Sequence, residues 1–168
     1  QSTYRSVDGV SWPTYGSVSY VATNASWLDG KWYVTNGNGS TWVSSTDGVV
    51  WTTFASSGSS MYRLNKLFGL NGRLISGGGQ SANAGTQIQV STDHGVTFAA
   101  PITIPGTLGY VNSFATVGAS RLVVGGEGAG QVLSVTDDYG TTWLSPSYPG
   151  TAAVNALCAT PLGLFAGD

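Results

Sequence analysis

Ser91-Thr92-Asp93-His94-Gly95-Val96-Thr97-Phe98 is the stretch that decides the fold, because the chain writes it four times. A second full-length copy is Thr136-Asp137-Asp138-Tyr139-Gly140-Thr141-Thr142-Trp143. Two copies shorter by one residue are Ser6-Val7-Asp8-Gly9-Val10-Ser11-Trp12 and Ser45-Thr46-Asp47-Gly48-Val49-Val50-Trp51. The aspartates Asp8, Asp47, Asp93 and Asp138 are 39, 46 and 45 residues apart. A period of that length marks a propeller or a solenoid, in which each repeat is one supersecondary unit.

The chemistry of the stretch is that of a tight turn between strands. Asp-Gly favours a two-residue hairpin, since the right-handed strand twist asks for positive φ at the turn. Asp-x-Gly gives a three-residue version with the glycine (Gly95, Gly140) left-handed. The carboxylate accepts hydrogen bonds from backbone N–H groups just downstream, and the Ser or Thr two residues earlier holds the other side of the loop. The aromatic that follows (Trp12, Trp51, Phe98, Trp143) is expected to tuck into the apolar layer and fix the register.

The pattern resembles the Asp-box, or bacterial neuraminidase repeat, Ser/Thr-x-Asp-x-Gly-x-Thr-Trp/Phe. Ser91 to Phe98 and Thr136 to Trp143 match it in full. The short copies lack the residue between Asp and Gly, and Ser11 and Val50 replace the late Thr. The resemblance implies an all-β propeller in which each Asp-box, including Gly9 and Gly48 in the short forms, is a structural turn between the third and fourth strands of a four-stranded blade. It also implies that these turns lie on the face away from any site, and it suggests a bacteriophage tail or surface-recognition protein.

Composition narrows the class. The 168 residues suffice for one domain with a real core. Only 8% are charged, against about 25% in typical domains, yet 41% are hydrophobic and 11% aromatic, so the chain is not a disordered polar tract. A net charge of −2 with six Lys and Arg leaves no basic footprint for nucleic acid. No apolar run approaches the length of a membrane span. Solubility carried by hydroxyls and amides is associated with an extracellular or virion-associated protein. The chain does not open on Met, which is taken as a sign of processing or excision. The single cysteine, Cys158, lies in an apolar strand and is expected to be a small buried hydrophobe.

Four units repeat one order: strand, hairpin, strand, Gly-rich loop, strand, Asp-box. The hairpins fall at Asp29-Gly30, Asn71-Gly72 and Ala119-Ser120, and the last turn at Pro161-Leu162-Gly163. The chain ends where a third strand should begin, and it starts with that third strand. Joined end to start, Phe165-Ala166-Gly167-Asp168-Gln1-Ser2-Thr3-Tyr4 parallels Thr35-Asn36-Gly37-Asn38-Gly39-Ser40-Thr41-Trp42. The expectation is a single domain, residues 1–168, of four blades with the termini meeting inside one. The termini could close within one chain or between identical copies. Alternatively, the chain is a propeller fragment that needs a complement.

The face opposite the Asp-boxes gathers candidate ligand residues. Asn65, Asn112 and Asn155 hold equivalent places at the start of inner strands, with Thr23 in the fourth unit. Tyr15, Tyr62, Tyr110 and Tyr148 lie nearby, as do Asn38, Gln80, Asn83 and Glu127 from the Gly-rich loops. Amides and aromatic rings around a channel mouth suit sugar hydroxyls and C–H faces. The same asparagines could instead satisfy loop backbone, and the tyrosines could be packing residues.

A hydrolase is harder to assemble. The resemblance to neuraminidases would call for an arginine triad, a tyrosine–glutamate pair and an acid/base aspartate. The four arginines are Arg5, Arg63, Arg73 and Arg121, of which Arg73 and Arg121 recur with the hairpins as surface charges, and no Arg-Ile-Pro motif is present. Most aspartates are committed to turns, leaving Glu127, Asp137 and Asp168, so no two-carboxylate set is evident. His94, the only histidine, reads as an exposed loop residue, and no cluster has metal-ligand spacing, so neither metal nor cofactor is expected. The function expected is non-catalytic recognition of a glycan or surface polymer. The alternatives are an assembly role through blade completion, or a piece of a larger sialidase-like hydrolase.

Overall fold

A computed structural model describes residues 2–17, 22–36, 41–55, 66–78, 86–106, 108–128, 131–150 and 152–167. Tyr62, Asn65, Asn38, Gln80 and Asn83, all expected near the ligand face, lie outside these residues. Among the described residues every element is a strand, and all strand pairs are antiparallel.

Three larger sheets follow one another along the chain. Sheet A has the order β3 (Ala22–Leu28), β4 (Lys31–Asn36), β5 (Thr41–Ser45), β6 (Thr52–Ala55). Sheet B repeats it with β7 (Lys66–Leu70), β8 (Arg73–Gly78), β9 (Gln87–Ser91) and β10 (Ile102–Thr103). Sheet C has β11 (Leu108–Val117), β12 (Arg121–Gly128) and β13 (Leu133–Thr136), and its fourth strand shrinks to one bridge, Val135 to Leu144. Two strand pairs stand at the ends: β1 (Ser2–Tyr4) with β2 (Thr14–Ser17), and β14 (Ala156–Thr160) with β15 (Gly163–Gly167).

The hairpins form where the sequence places them. Asp29 and Gly30 have φ of 47° and 80°, and Asn71 and Gly72 have 49° and 71°, the doubly positive pair that strand twist demands of a two-residue loop. The third hairpin is one residue wider than expected. Val117 pairs with Arg121, so Gly118 joins Ala119 and Ser120 in the turn at φ 67°.

Successive sheets meet through their first strands: β3 touches β7, β7 touches β11, and β11 touches β14. The core therefore lies in layers between sheets. Tyr33 and Trp42 of sheet A pack on Leu67 and Leu74 of sheet B. Ile75 and Ile88 of sheet B pack on Val111, Phe114 and Leu122 of sheet C. Val123 and Val135 of sheet C pack on Val154, Leu157 and Leu164 at the C-terminal end. The approach is close enough that a Cβ on Gly77 would stand 2.5 Å from Phe114 Cζ and 2.8 Å from Val111 Cγ1. Glycine in the middle of a strand is explained by this neighbour rather than by its φ.

The two end pairs form separate sheets, and β14 and β15 make no contact with β1 or β2 comparable to those between neighbouring sheets. Two expectations fail for this reason. Cys158 is exposed, not buried. The register equates it with Ala115 and Phe68, which are covered by a following sheet or face one, and no such sheet covers β14. Trp12 likewise remains 59% exposed instead of entering an apolar layer.

Candidate functional site

The four acidic turns share one hydrogen-bond scheme. In each, the Ser or Thr hydroxyl donates to the aspartate Oδ1 at 2.7–2.9 Å and accepts from the glycine N–H at 2.7–2.8 Å. In the short turns Oδ1 also accepts the next two backbone N–H groups, Val10 and Ser11 on Asp8, Val49 and Val50 on Asp47. In the long turns it accepts one, from Thr97 or Thr142, and the same threonine hydroxyl donates to Oδ2 at 2.6 or 2.7 Å. The short turns use an indole instead: Trp12 Nε1 donates to Gly9 O and Trp51 Nε1 to Gly48 O, each at 3.1 Å.

These bonds favour the ionised carboxylate. The Ser11 and Val10 N–H groups and the Ser6 hydroxyl bring Asp8 down to about 2. The Thr97 hydroxyl and N–H and the Ser91 hydroxyl bring Asp93 down to about 2. Asp47 is lowered by the Val49 and Val50 N–H groups, and Asp138 by the Thr142 N–H and hydroxyl. Such carboxylates are turn staples held in the charged form, unsuited to donating a proton near neutral pH. Asp137 is held low by its bidentate pair with Arg121, at 2.8 and 2.9 Å. Arg73 is less free than a surface charge, for its guanidinium lies 3.9 Å from the centre of the Tyr139 ring. His94 is half-buried, with Nδ1 3.9 Å from Asp29 Oδ2.

At the other ends of the inner strands two expected residues come together. Asn112, on β11, donates through Nδ2 to Asn155 Oδ1 at 3.1 Å. Both line a groove of about 200 Å³ that also takes in Asn24, Lys66 and Ser113. Lys66 and Asn24 were not anticipated, because their place in the groove depends on the packing of β3 against β7. Asn24 Oδ1 accepts the Leu67 N–H, so this asparagine serves the backbone of the next sheet's first strand. Tyr110 and Glu127 are direct partners across β11 and β12, Tyr110 half-buried and Glu127 exposed, and neither lines the groove itself. Among the described residues no three His, Cys, Asp or Glu side chains converge as a metal site would require.

A larger cleft, of about 580 Å³, lies between the β1–β2 pair and sheet A. Four tryptophans line it, Trp12, Trp27, Trp32 and Trp51, with Arg5 and Val34. Trp27 and Trp32 are 49% and 43% exposed, with ring centres 4.7 Å apart. Sequence reading assigned these residues to turns and strands one at a time, and only the placement of β1–β2 against sheet A gathers them.

No protein-family profile matches the sequence, and no curated protein matches it. Solved structures do. "YCF48 bound to D1 peptide" aligns with a TM-score of 0.72 at 18% identity, covering 92% of this chain and 50% of that one. The computationally designed Ika4 protein aligns at 0.58 and 13% identity, covering 90% of this chain and 87% of that one. The GH74 enzyme of Niastella koreensis aligns at 0.56 and 19% identity, covering 92% of this chain and 22% of that one. The fold is thus of the β-propeller type. The chain spans about half the length of YCF48.

Proposed function

We propose that this chain is a non-catalytic recognition module of the Asp-box propeller type. Its four blade repeats would present a groove for a glycan or another neutral, hydroxyl-rich surface polymer. The observation that carries the reading is the amide pair Asn112–Asn155 in the groove, on the edge opposite the acidic turns. A primary amide offers two donors and two acceptor lone pairs, so the one bond between them leaves most of that capacity for a ligand. Tyr110, two residues before Asn112 on β11, and Glu127, its partner on β12, lie just beyond the groove. They would add an aromatic ring and one further acceptor for a ligand longer than the groove. Sugars bind through such a mixture of amides and rings, without formal charge.

The carboxylates support binding over hydrolysis. A glycosidase needs two carboxyl groups facing one cleft. Here Asp8, Asp47, Asp93 and Asp138 hold backbone N–H groups and Asp137 holds Arg121. The scarcity of charge and the richness in Gly, Ser and Thr fit an extracellular or virion-associated setting such as a phage tail or bacterial surface.

A glycan array probed with the 168-residue chain tests the reading. The expected result is retention of a neutral glycan that Asn112→Ala and Tyr110→Ala both weaken at least tenfold while the melting temperature is kept. An array on which nothing is retained, or retention indifferent to both substitutions, refutes it.

A further inference from the structure

Each sheet turns one face to the sheet before it and the other to the sheet after it. Leu67 and Leu74 of sheet B face back onto sheet A, and Phe114 and Leu122 of sheet C face back onto sheet B. Phe68 and Ile75 of sheet B face forward onto sheet C, where Phe68 meets Phe114 at 5.9 Å between ring centres. Strand register carries these roles to the two ends. In sheet A the backward positions are Ala25 and Trp32, which open into the tryptophan-lined cleft. In the β14–β15 pair the forward positions are Cys158 and Phe165, cross-strand partners as Phe68 and Ile75 are. Cys158 is exposed and Phe165 is 57% exposed. One half of an inter-sheet layer thus stands bare at each end of the molecule.

The strand edges are left open in the same places. Among the described residues, β1 pairs with β2 alone and β15 with β14 alone. An exposed edge with an apolar flank is a template for strand addition. In sheets A, B and C the second strand meets the third with Trp32 opposite Ser45, Leu74 opposite Ser91 and Leu122 opposite Thr136. Applied to the ends, the same register sets Leu164 opposite Ser6, Ala166 opposite Tyr4 and Gly167 opposite Thr3. Gly167 then occupies the place of Gly77 and Gly125, where a Cβ would collide with the following sheet. Around Gly167 in the single chain a Cβ meets nothing within 4 Å.

We propose that the β14–β15 pair of a second copy occupies this cleft. Its β15 joins β1 in the register above, with Phe165 and Cys158 closing over Trp27 and Trp32. The exchange is reciprocal, so two copies form one closed ring in which each completes the other's divided sheet. Two copies are the fewest that a reciprocal exchange of this kind needs. The inference rests on the four-repeat assignment made above and is independent of the glycan reading.

The test is the solution mass of the 168-residue chain, by light scattering and native mass spectrometry, with a cysteine cross-link for the register. The expected species is about 34 kDa, twice the 17.2 kDa of one chain. Phe165→Asp, at a position solvated in the single chain, should yield a folded monomer by circular dichroism, in which Cys158 reacts with maleimide at least tenfold faster than in the parent. In a Cys158→Ala background, Tyr4→Cys with Ala166→Cys should oxidise to a covalent dimer, and Arg5→Cys with Ala166→Cys should not. A 17.2 kDa species at all concentrations, a mass above two chains, or a cross-link formed inside one chain overturns the proposal. A dimer that binds no glycan would sink the proposed function and leave this inference standing.

Discussion

Gly77→Ala measures how closely the sheets are stacked. The added Cβ would stand 2.5 Å from Phe114 Cζ and 2.8 Å from Val111 Cγ1, both on the next sheet. Carbon atoms rest at about 3.5–4.0 Å, so the Phe114 ring tip must retreat by about 1 Å. It has little room, being buried in its cluster with Phe68 close by. Overpacking of this kind costs about 1–3 kcal/mol, and a domain of this size loses about 2–4 °C per kcal/mol, so the melting temperature should drop by about 2–12 °C. Thermal melts followed by circular dichroism, at one fixed protein concentration, read the change. The cause is checked by repeating the substitution in a Phe114→Leu background, where the shorter side chain leaves space and the loss should shrink. An unchanged or raised melting temperature, or an equal loss in both backgrounds, would refute the stacking of β7–β8 on β11.

Acid and the indoles supply two further tests. Asp8 and Asp93 fold with pKa values near 2, below the ordinary 3.8, so their stabilisation is complete above about pH 4 and is lost as pH falls toward 2. Melts from pH 6 to 2 should decline only at the acid end, less steeply in Asp93→Asn, and stability that rises on acidification would contradict the turn geometry. Trp51 donates its indole N–H to Gly48 O, whereas the Trp143 N–H is buried with no partner. Trp51→Phe should therefore cost about 1 kcal/mol of hydrogen bond, while Trp143→Phe recovers part of an unsatisfied donor's penalty and should lower the melting temperature less. The reverse order would be inconsistent with the two turn forms.

Local chemistry was legible in the sequence and inter-sheet context was not. Asp29-Gly30, Asn71-Gly72 and the hydrogen bonds of the four acidic turns form as read, because each is decided by residues within eight positions of chain. The acidic loops are nevertheless wider than the two- and three-residue hairpins expected, with Tyr4 paired to Thr14, Ser44 to Thr52 and Ile88 to Ile102. The fourth strand forms in sheet A, as β6, but is shorter than the repeat predicts in sheets B and C. β10 is two residues long between Pro101 and Pro105, and sheet C has only the Val135–Leu144 bridge, since proline cannot donate to a ladder. The apolar strand around Cys158 and the box position of Trp12 both predict burial, but burial at either place requires a neighbouring sheet, and none among the described residues covers them. The meeting of Asn112 with Asn155 followed from the repeat, because equivalent positions on adjacent inner strands must converge. The tryptophan cleft did not, because its four rings come from three separate stretches of chain.

The residue inserted in the long turns has a role that no single repeat reveals. His94 and Tyr139 both adopt φ near +60°, and each reaches the hairpin of the preceding sheet. His94 approaches Asp29 of the first hairpin, and Tyr139 accepts from Asn71 Nδ2 at 3.2 Å while Arg73 covers its ring. The inserted Tyr139 therefore clasps sheets B and C, and His94 holds the matching place between A and B, its Nδ1 without a hydrogen bond. The turns at Asp8 and Asp47 lack the residue and cannot clasp. These are the two turns that border the divided sheet, Asp47 on the sheet that follows it and Asp8 on its own outer half. The inserted residue thus occurs between sheets A, B and C and is missing from the turns at the two ends of the stack. A turn without the inserted residue leaves the neighbouring hairpin site uncovered, which is what the proposed docking of a second copy's β14–β15 turn would use.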